Sequence, residues 1–103
     1  MRLLLKLSGE LLGQNNLSYE KTLKLAYILK ECKNNGHEIC VVIGGGNLWR
    51  GRMHEEMNST DSDSIGMLAT TMNAICLKSA LKQIGVKTKV MSSINVKFTE
   101  NYN

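Results

Sequence analysis

Cys40-Val-Val-Ile-Gly-Gly-Gly-Asn-Leu-Trp-Arg-Gly51 is the stretch on which the fold turns. Its first half is a short apolar run rich in β-branched residues, the composition of a buried strand. Gly44-Gly45-Gly46 ends that strand, because consecutive glycines weaken a ladder and free the backbone for a tight turn. The chain has nine glycines in 103 residues, places three of them here and follows them with Arg50. Such a turn lets something come close to bare main-chain N–H groups.

Working upstream, Glu38–Ile43 is the whole strand, and before it the periodicity changes. Tyr19, Leu23, Ala26, Leu29 and Cys32 recur at steps of three and four, while Lys21, Lys24, Lys30 and Lys33 fall mostly on other faces. This predicts an amphipathic helix with Ser18 as its cap and Gly36 as its stop. Arg2–Leu7 is a compact apolar run ended by Ser8-Gly9 and predicts a first strand, with the polar residues 13–16 as a loop. Downstream, residues 51–64 read as a polar surface loop with capping residues at its end. A second helix follows from Ile65 to Gly85, with Ile65, Leu68, Met72, Ile75 or Cys76, and Ala80 or Leu81 on one side. Val86–Met91 alternates and predicts a third strand, and residues 92–103 form a polar tail with no closing element.

Strand, helix, strand, helix, strand is the order of right-handed crossovers, so the expected class is α/β: a mainly parallel sheet with helices on both faces. Three strands leave two open edges, and a missing half is expected. A length of 103 residues suits one domain, and 43% apolar with 21% charged residues excludes a disordered tail. The net charge of +4 comes from scattered lysines, with no aromatic-rich basic stripe, so no nucleic-acid partner is expected. Cys32, Cys40 and Cys76 are odd in number and form no C-x-x-C pair, which predicts buried free thiols in a reducing compartment rather than disulfides or zinc. The opening residues are too short an apolar run for a signal peptide or membrane span. No membrane association and a cytoplasmic location are therefore expected.

In an open parallel sheet, ligands gather beyond the carboxyl ends of the strands, and two of the expected strands finish there in glycine turns. Exposed N–H groups at such turns favour phosphate. Lys6 adds a mobile point charge, Arg50 a planar fork for phosphate oxygens, and Asp63, at the mouth of the second helix, an acceptor for sugar hydroxyls. Each has a plainer alternative. The glycines also serve as a simple strand-to-helix turn, Lys6 as an edge-strand lysine, Arg50 as the partner of Glu55 or Glu56, and Asp63 as an N-cap. His37 and His54 read as solvent-facing, and Met67 and Met72 as core filler. Neither G-x-x-x-x-G-K-[ST] nor G-x-G-x-x-G occurs, which disfavours Walker-type and dinucleotide folds.

Taken together, "LLLKLSGE", "VVIGGGNLWRG" and "DSIGMLATTMNAICLKSAL" resemble the bacterial uridylate kinase family of the amino acid kinase superfamily, in order and spacing over nearly the whole chain. The resemblance implies a three-layer α/β/α fold of which residues 1–103 are the N-terminal, phosphate- and UMP-binding part, truncated before a C-terminal ATP-binding half. It implies transfer of the γ-phosphoryl group of ATP to UMP. Lys6, Leu7, Ser8, Gly9, Gly46 and Arg50 would contact ATP, Gly45 and Asp63 would contact UMP, and Lys6 with Arg50 would carry the transition-state charge. Magnesium would arrive on ATP, with no protein ligand to name. Relatives of this kind are homohexamers, so a homo-oligomer is expected, and the isolated chain is expected to be inactive. Arg52–Ser62 departs from the family pattern, and Lys78 falls where some relatives have an arginine linked to GTP regulation. The alternative is a non-catalytic nucleotide- or phosphate-binding module of the same fold.

Overall fold

The computed structural model describes residues 1–51, 54–92 and 100–101. Strand β1 (Arg2–Leu7) and strand β2 (Glu38–Ile43) have the bounds expected from sequence and pair in parallel, Arg2 opposite Glu38 through Leu7 opposite Ile43. Helix α1 (Tyr19–Asn34) crosses between them. A short 3-10 turn, Gly9–Leu12, follows β1 and is anchored by the fully buried Leu12. Helix α2 (Ser59–Gln83) follows β2, and two short strands, β3 (Met91–Ser92) and β4 (Glu100–Asn101), pair in parallel with each other.

Local chemistry accounts for the helix ends. Ser18 Oγ accepts the Lys21 N–H at 3.2 Å, satisfying one of the free donors of the first turn of α1. Asn58 does the same for α2, accepting from Thr60 N at 2.8 Å and Asp61 N at 3.4 Å. The chain leaves α1 and α2 through Gly36 (φ +91°) and Gly85 (φ +87°), each in the left-handed region that favours glycine. Lys30 Nζ donates to Ile84 O at 2.8 Å, and Tyr19 OH to Gln83 Oε1 at 2.6 Å, so α1 also caps and clamps the end of α2.

The core is one cluster of Leu12, Leu25, Ala26, Leu29, Ile43, Leu77, Ala80 and Leu81, with Leu5, Leu7, Ile39 and Val41 packed against it. Both helices therefore cover the same face of the β1–β2 sheet, the side to which Leu5, Leu7, Ile39, Val41 and Ile43 point. The alternate residues of the two strands face outward, with Leu4 68% and Val42 50% exposed and Lys6 and Cys40 open to solvent. A parallel sheet with helices is thus present as expected, but among the described residues its helical cover lies on one face only.

Several expectations shift. Val86–Met91 does not form a third strand of this sheet: Val86, Thr88 and Val90 do turn inward, yet only Met91 enters a ladder, and that ladder is with β4. Alternation specifies which side chains face the core, not which backbone supplies the hydrogen bonds. Helix α2 starts six residues before the expected Ile65, because its first turns are solvated and carry no apolar period. Its buried side runs through Ala69, Asn73, Leu77, Ala80 and Leu81, so the expected Ala80 and Leu81 are buried, while Leu68 and Met72 are 47% and 52% exposed. The middle of α2 is apolar nearly all round; against the glycine turn it presents the small Ala69, while further along Leu77, Ala80 and Leu81 join Leu25, Ala26 and Leu29 of α1 in the core. Met67 is likewise exposed, not core filler, and Cys40 is exposed, not buried. The polar tail expected at residues 92–103 lies mostly outside the described residues. Among the described residues, no helix is long and apolar enough to cross a membrane.

Candidate functional site

The parallel register decides where the two glycine turns lie. Leu7 pairs with Ile43, and Gly44 N–H donates to Leu7 O at 3.1 Å, so both strands end level and both turns leave from the carboxyl rim. Ser8 caps the first turn, its Oγ accepting the Glu10 N–H at 3.2 Å. Gly9 is pressed against the second: a Cβ there would stand 2.5 Å from both Gly44 O and Asn47 Oδ1. Gly45 lies against α2, where a Cβ would meet Ala69 Cβ and Thr70 N at 2.9 Å. Its carbonyl turns back to accept the N–H groups of Leu48 and Trp49, each at 2.9 Å. Gly9 and Gly45 are therefore required by close backbone approach, whatever else they bind, whereas a Cβ on Gly44 would meet nothing nearer than 3.9 Å.

Behind both turns sits a buried amide pair that sequence reasoning missed. Asn73, fully buried on α2, donates from Nδ2 to Asn47 Oδ1 at 2.7 Å and to Gly44 O at 2.7 Å. Asn47, 3% exposed, donates from Nδ2 to Asn73 Oδ1 at 3.1 Å and to Asn16 O at 2.8 Å. The two backbone carbonyls fix the orientation of both amides, since reversing either would set oxygen against oxygen. This network ties the loop before α1, the turn after β2 and the middle of α2 to one point. The available signal was Asn73 itself, a polar residue on an otherwise small and apolar stripe at i+4 from Ala69 and i−4 from Leu77.

The charged groups are arranged around this scaffold. Arg50 crosses from the second turn to the first and forms an ion pair with Glu10, not with Glu55 or Glu56. Its guanidinium also lies over Gly46, where a Cβ would stand 3.1 Å from Nη2. Lys6 is the last outward-facing residue of β1, exposed at the same rim, and has no ion pair among the described residues. Leu7 points into the core, so only its backbone is available to the rim. Asp63 is not an N-cap and does not sit at the helix mouth. It lies in the second turn of α2, exposed, because Asn58 starts the helix earlier. Its neighbour Ser62 is buried and accepts the Trp49 Nε1–H at 3.1 Å, which holds the loop after the glycines against that end of α2. Trp49 in turn stacks on His54, with centroids 4.1 Å apart and planes 9° from parallel, so His54 is not a free surface group. His37 is half-buried, with Nδ1 lacking a hydrogen-bond partner among the described residues.

The rim thus brings together Lys6, Ser8, Gly9, Gly45, Gly46 and Arg50, and leaves Asp63 on the adjoining turn of α2. Two cations and short glycine-bearing turns form a place where an anion can be held by charge and by N–H donors. Among the described residues no three or more His, Cys, Asp or Glu side chains converge as a metal cage.

The amino acid kinase family profile matches residues 1–103. The chain is 43% identical over 109 residues to a uridylate kinase of Mycoplasma mobile, covering 98% of this chain and 44% of that protein. It is 43% identical over 100 residues to one of Mesomycoplasma hyopneumoniae, covering 91% of this chain and 42% of the relative. Among solved structures, the UMP kinase of Ureaplasma parvum superposes with a TM-score of 0.90 at 32% identity, covering all of this chain and 48% of that one. An aspartate kinase of Synechocystis shares the fold alone, with a TM-score of 0.68 at 15% identity over 88% of this chain and 16% of that one. The chain spans less than half the length of the uridylate kinases it matches. With a family profile that runs its full length and a rim built by the register of its first two strands, the chain belongs to the amino acid kinase family.

Proposed function

We propose that these residues are the phosphate- and UMP-binding part of a uridylate kinase. In that reaction an oxygen of the UMP phosphate attacks the γ-phosphorus of ATP, the bond to the bridging oxygen breaks, and UDP and ADP leave. The observation that carries the proposal is the level ending of β1 and β2, which puts the Ser8-Gly9 turn, the Gly44–Gly46 turn, Lys6 and Arg50 on one rim. The likeness to proteins named uridylate kinase and UMP kinase supports the same reading.

Phosphoryl transfer needs little covalent help, so positioning and charge neutralisation supply most of the acceleration. On this reading Ser8, Gly9 and Gly46 offer N–H groups to the ATP phosphates, with the Leu7 backbone setting their position. Lys6 moves with the transferred group as a flexible cation, and Arg50 neutralises charge from the side. Gly45 and Asp63 face UMP, the carboxylate accepting hydrogen bonds from its ribose. Magnesium travels on the ATP phosphates and supplies further charge neutralisation there. The whole protein acts in the cytoplasm as a homo-oligomer, a hexamer as in the family, and the 103-residue chain alone does not turn over.

Calorimetric titration of the chain with UMP, and separately with inorganic tripolyphosphate, tests this. The expected result is weak UMP binding that Asp63→Asn abolishes while tripolyphosphate binding survives. Equal response to any phosphate compound, indifferent to Asp63→Asn, would replace the kinase reading with that of a non-catalytic phosphate-binding module.

A further inference from the structure

The Arg50–Glu10 ion pair is one of several links between the two turns. On the buried side Gly44 N–H donates to Leu7 O, and Gly9 packs against Gly44 O and Asn47 Oδ1, which the hydrogen bonds from Asn73 hold in place. The pair lies in front of them, with the Arg50 side chain 42% and the Glu10 side chain 48% exposed. A carboxylate presents two oxygens to a guanidinium much as a phosphate does, and the fork of Arg50 takes either. Glu10 is also fixed at its base, because its N–H is bound by Ser8 Oγ, so its carboxylate is delivered to Arg50 from the turn that borders the anion site.

We propose that Glu10 is a built-in stand-in for phosphate: it occupies Arg50 while the rim is empty, and an incoming polyphosphate displaces it. This rests on the phosphate reading of the rim and adds a positioning and gating role for Glu10. The resting pair keeps the guanidinium laid over Gly46, facing the site, instead of free in solvent. Because both partners are partly exposed, the pair is weak enough to yield. The affinity for polyphosphate is the difference between what Arg50 gains from the ligand and what it loses with Glu10.

The test is titration of the 103-residue chain with inorganic tripolyphosphate at low ionic strength, by calorimetry and by the fluorescence of Trp49, the sole tryptophan and the neighbour of Arg50. Glu10→Gln is expected to bind tripolyphosphate about three- to five-fold more tightly than wild type, the range set by the worth of an exposed ion pair. Glu10→Asp, with a shorter reach, is expected to fall between them. Thermal unfolding establishes that each variant folds. In an Arg50→Gln background the Glu10→Gln gain is expected to vanish, since there is no longer a cation to release. Unchanged or weaker binding by Glu10→Gln overturns the proposal. So does a gain of the same size in the Arg50→Gln background, which would reduce Glu10 to a nearby repelling charge. If wild type, Glu10→Gln and Glu10→Asp all fail to bind tripolyphosphate, the phosphate reading of the rim falls, and the Glu10 proposal with it.

Discussion

Replacing Asn73 by alanine removes the side chain on which both turns converge. Three hydrogen bonds go at once: Asn73 Nδ2 to Gly44 O, Asn73 Nδ2 to Asn47 Oδ1, and Asn47 Nδ2 to Asn73 Oδ1. At about 1 kcal/mol net for each, the loss is about 3 kcal/mol. Asn47, 3% exposed, keeps Asn16 O as acceptor for its Nδ2 but is left with a buried, unpaired Oδ1. That orphan puts the cost at the upper end of a range of about 2 to 4 kcal/mol. The Gly44 carbonyl is better placed to find water, since Gly44 is exposed. Urea unfolding followed by circular dichroism measures the effect as a lowered midpoint at unchanged slope. Asn73→Asp serves as a second probe, because a carboxylate accepts but cannot donate to Gly44 O or Asn47 Oδ1, so it should cost at least as much. A loss below about 1 kcal/mol for either variant would refute the reasoning, since it would mean that the amide pair is already hydrated or unmade.

Further outcomes follow from the same geometry. Gly45→Ala should destabilise by about 1 to 3 kcal/mol, because its Cβ would stand 2.9 Å from Thr70 N and the backbone of α2 cannot yield cheaply; chemical unfolding reads this. Ser18→Ala should cost about 1 kcal/mol of stability by leaving the Lys21 N–H without its acceptor, without altering tripolyphosphate binding. Lys6→Ala should change stability by less than about 0.5 kcal/mol, as expected for an exposed side chain, yet sharply weaken tripolyphosphate binding in calorimetry. The isolated chain should release no ADP from ATP when UMP is added, as read by a coupled spectrophotometric assay.

How much of this was legible in the sequence depends on the kind of signal each element leaves. β1 and β2 are legible to the residue because each is a short apolar run stopped by a glycine-bearing turn. α1 was read because Ser18 caps a clear period. The start of α2 was not, since Asn58 stands in a run of Ser, Thr, Asp and Asn, any of which caps a helix, and the following turns are wet. The third strand failed for a different reason: alternation in Val86–Val90 reports burial, while strand pairing depends on a partner that the local sequence does not name. Both glycine turns, Lys6 and Arg50 stand out in the sequence as candidates, and a shared rim for the two turns follows from parallel pairing alone. The buried Asn47–Asn73 pair and the crossing of Arg50 to Glu10 join residues far apart in the chain, and such contacts leave no periodic trace.

Nitrogen–proton correlation spectra of the labelled chain, recorded during titration with inorganic tripolyphosphate, test the phosphate rim most directly. The account predicts that the backbone amides of Ser8, Gly9, Gly45 and Gly46 shift together with one dissociation constant, and that Lys6→Ala weakens all of them in step. Shifts confined to the lysine-bearing stretch from Lys78 to Lys89, with the amides of the two turns unmoved, would contradict it.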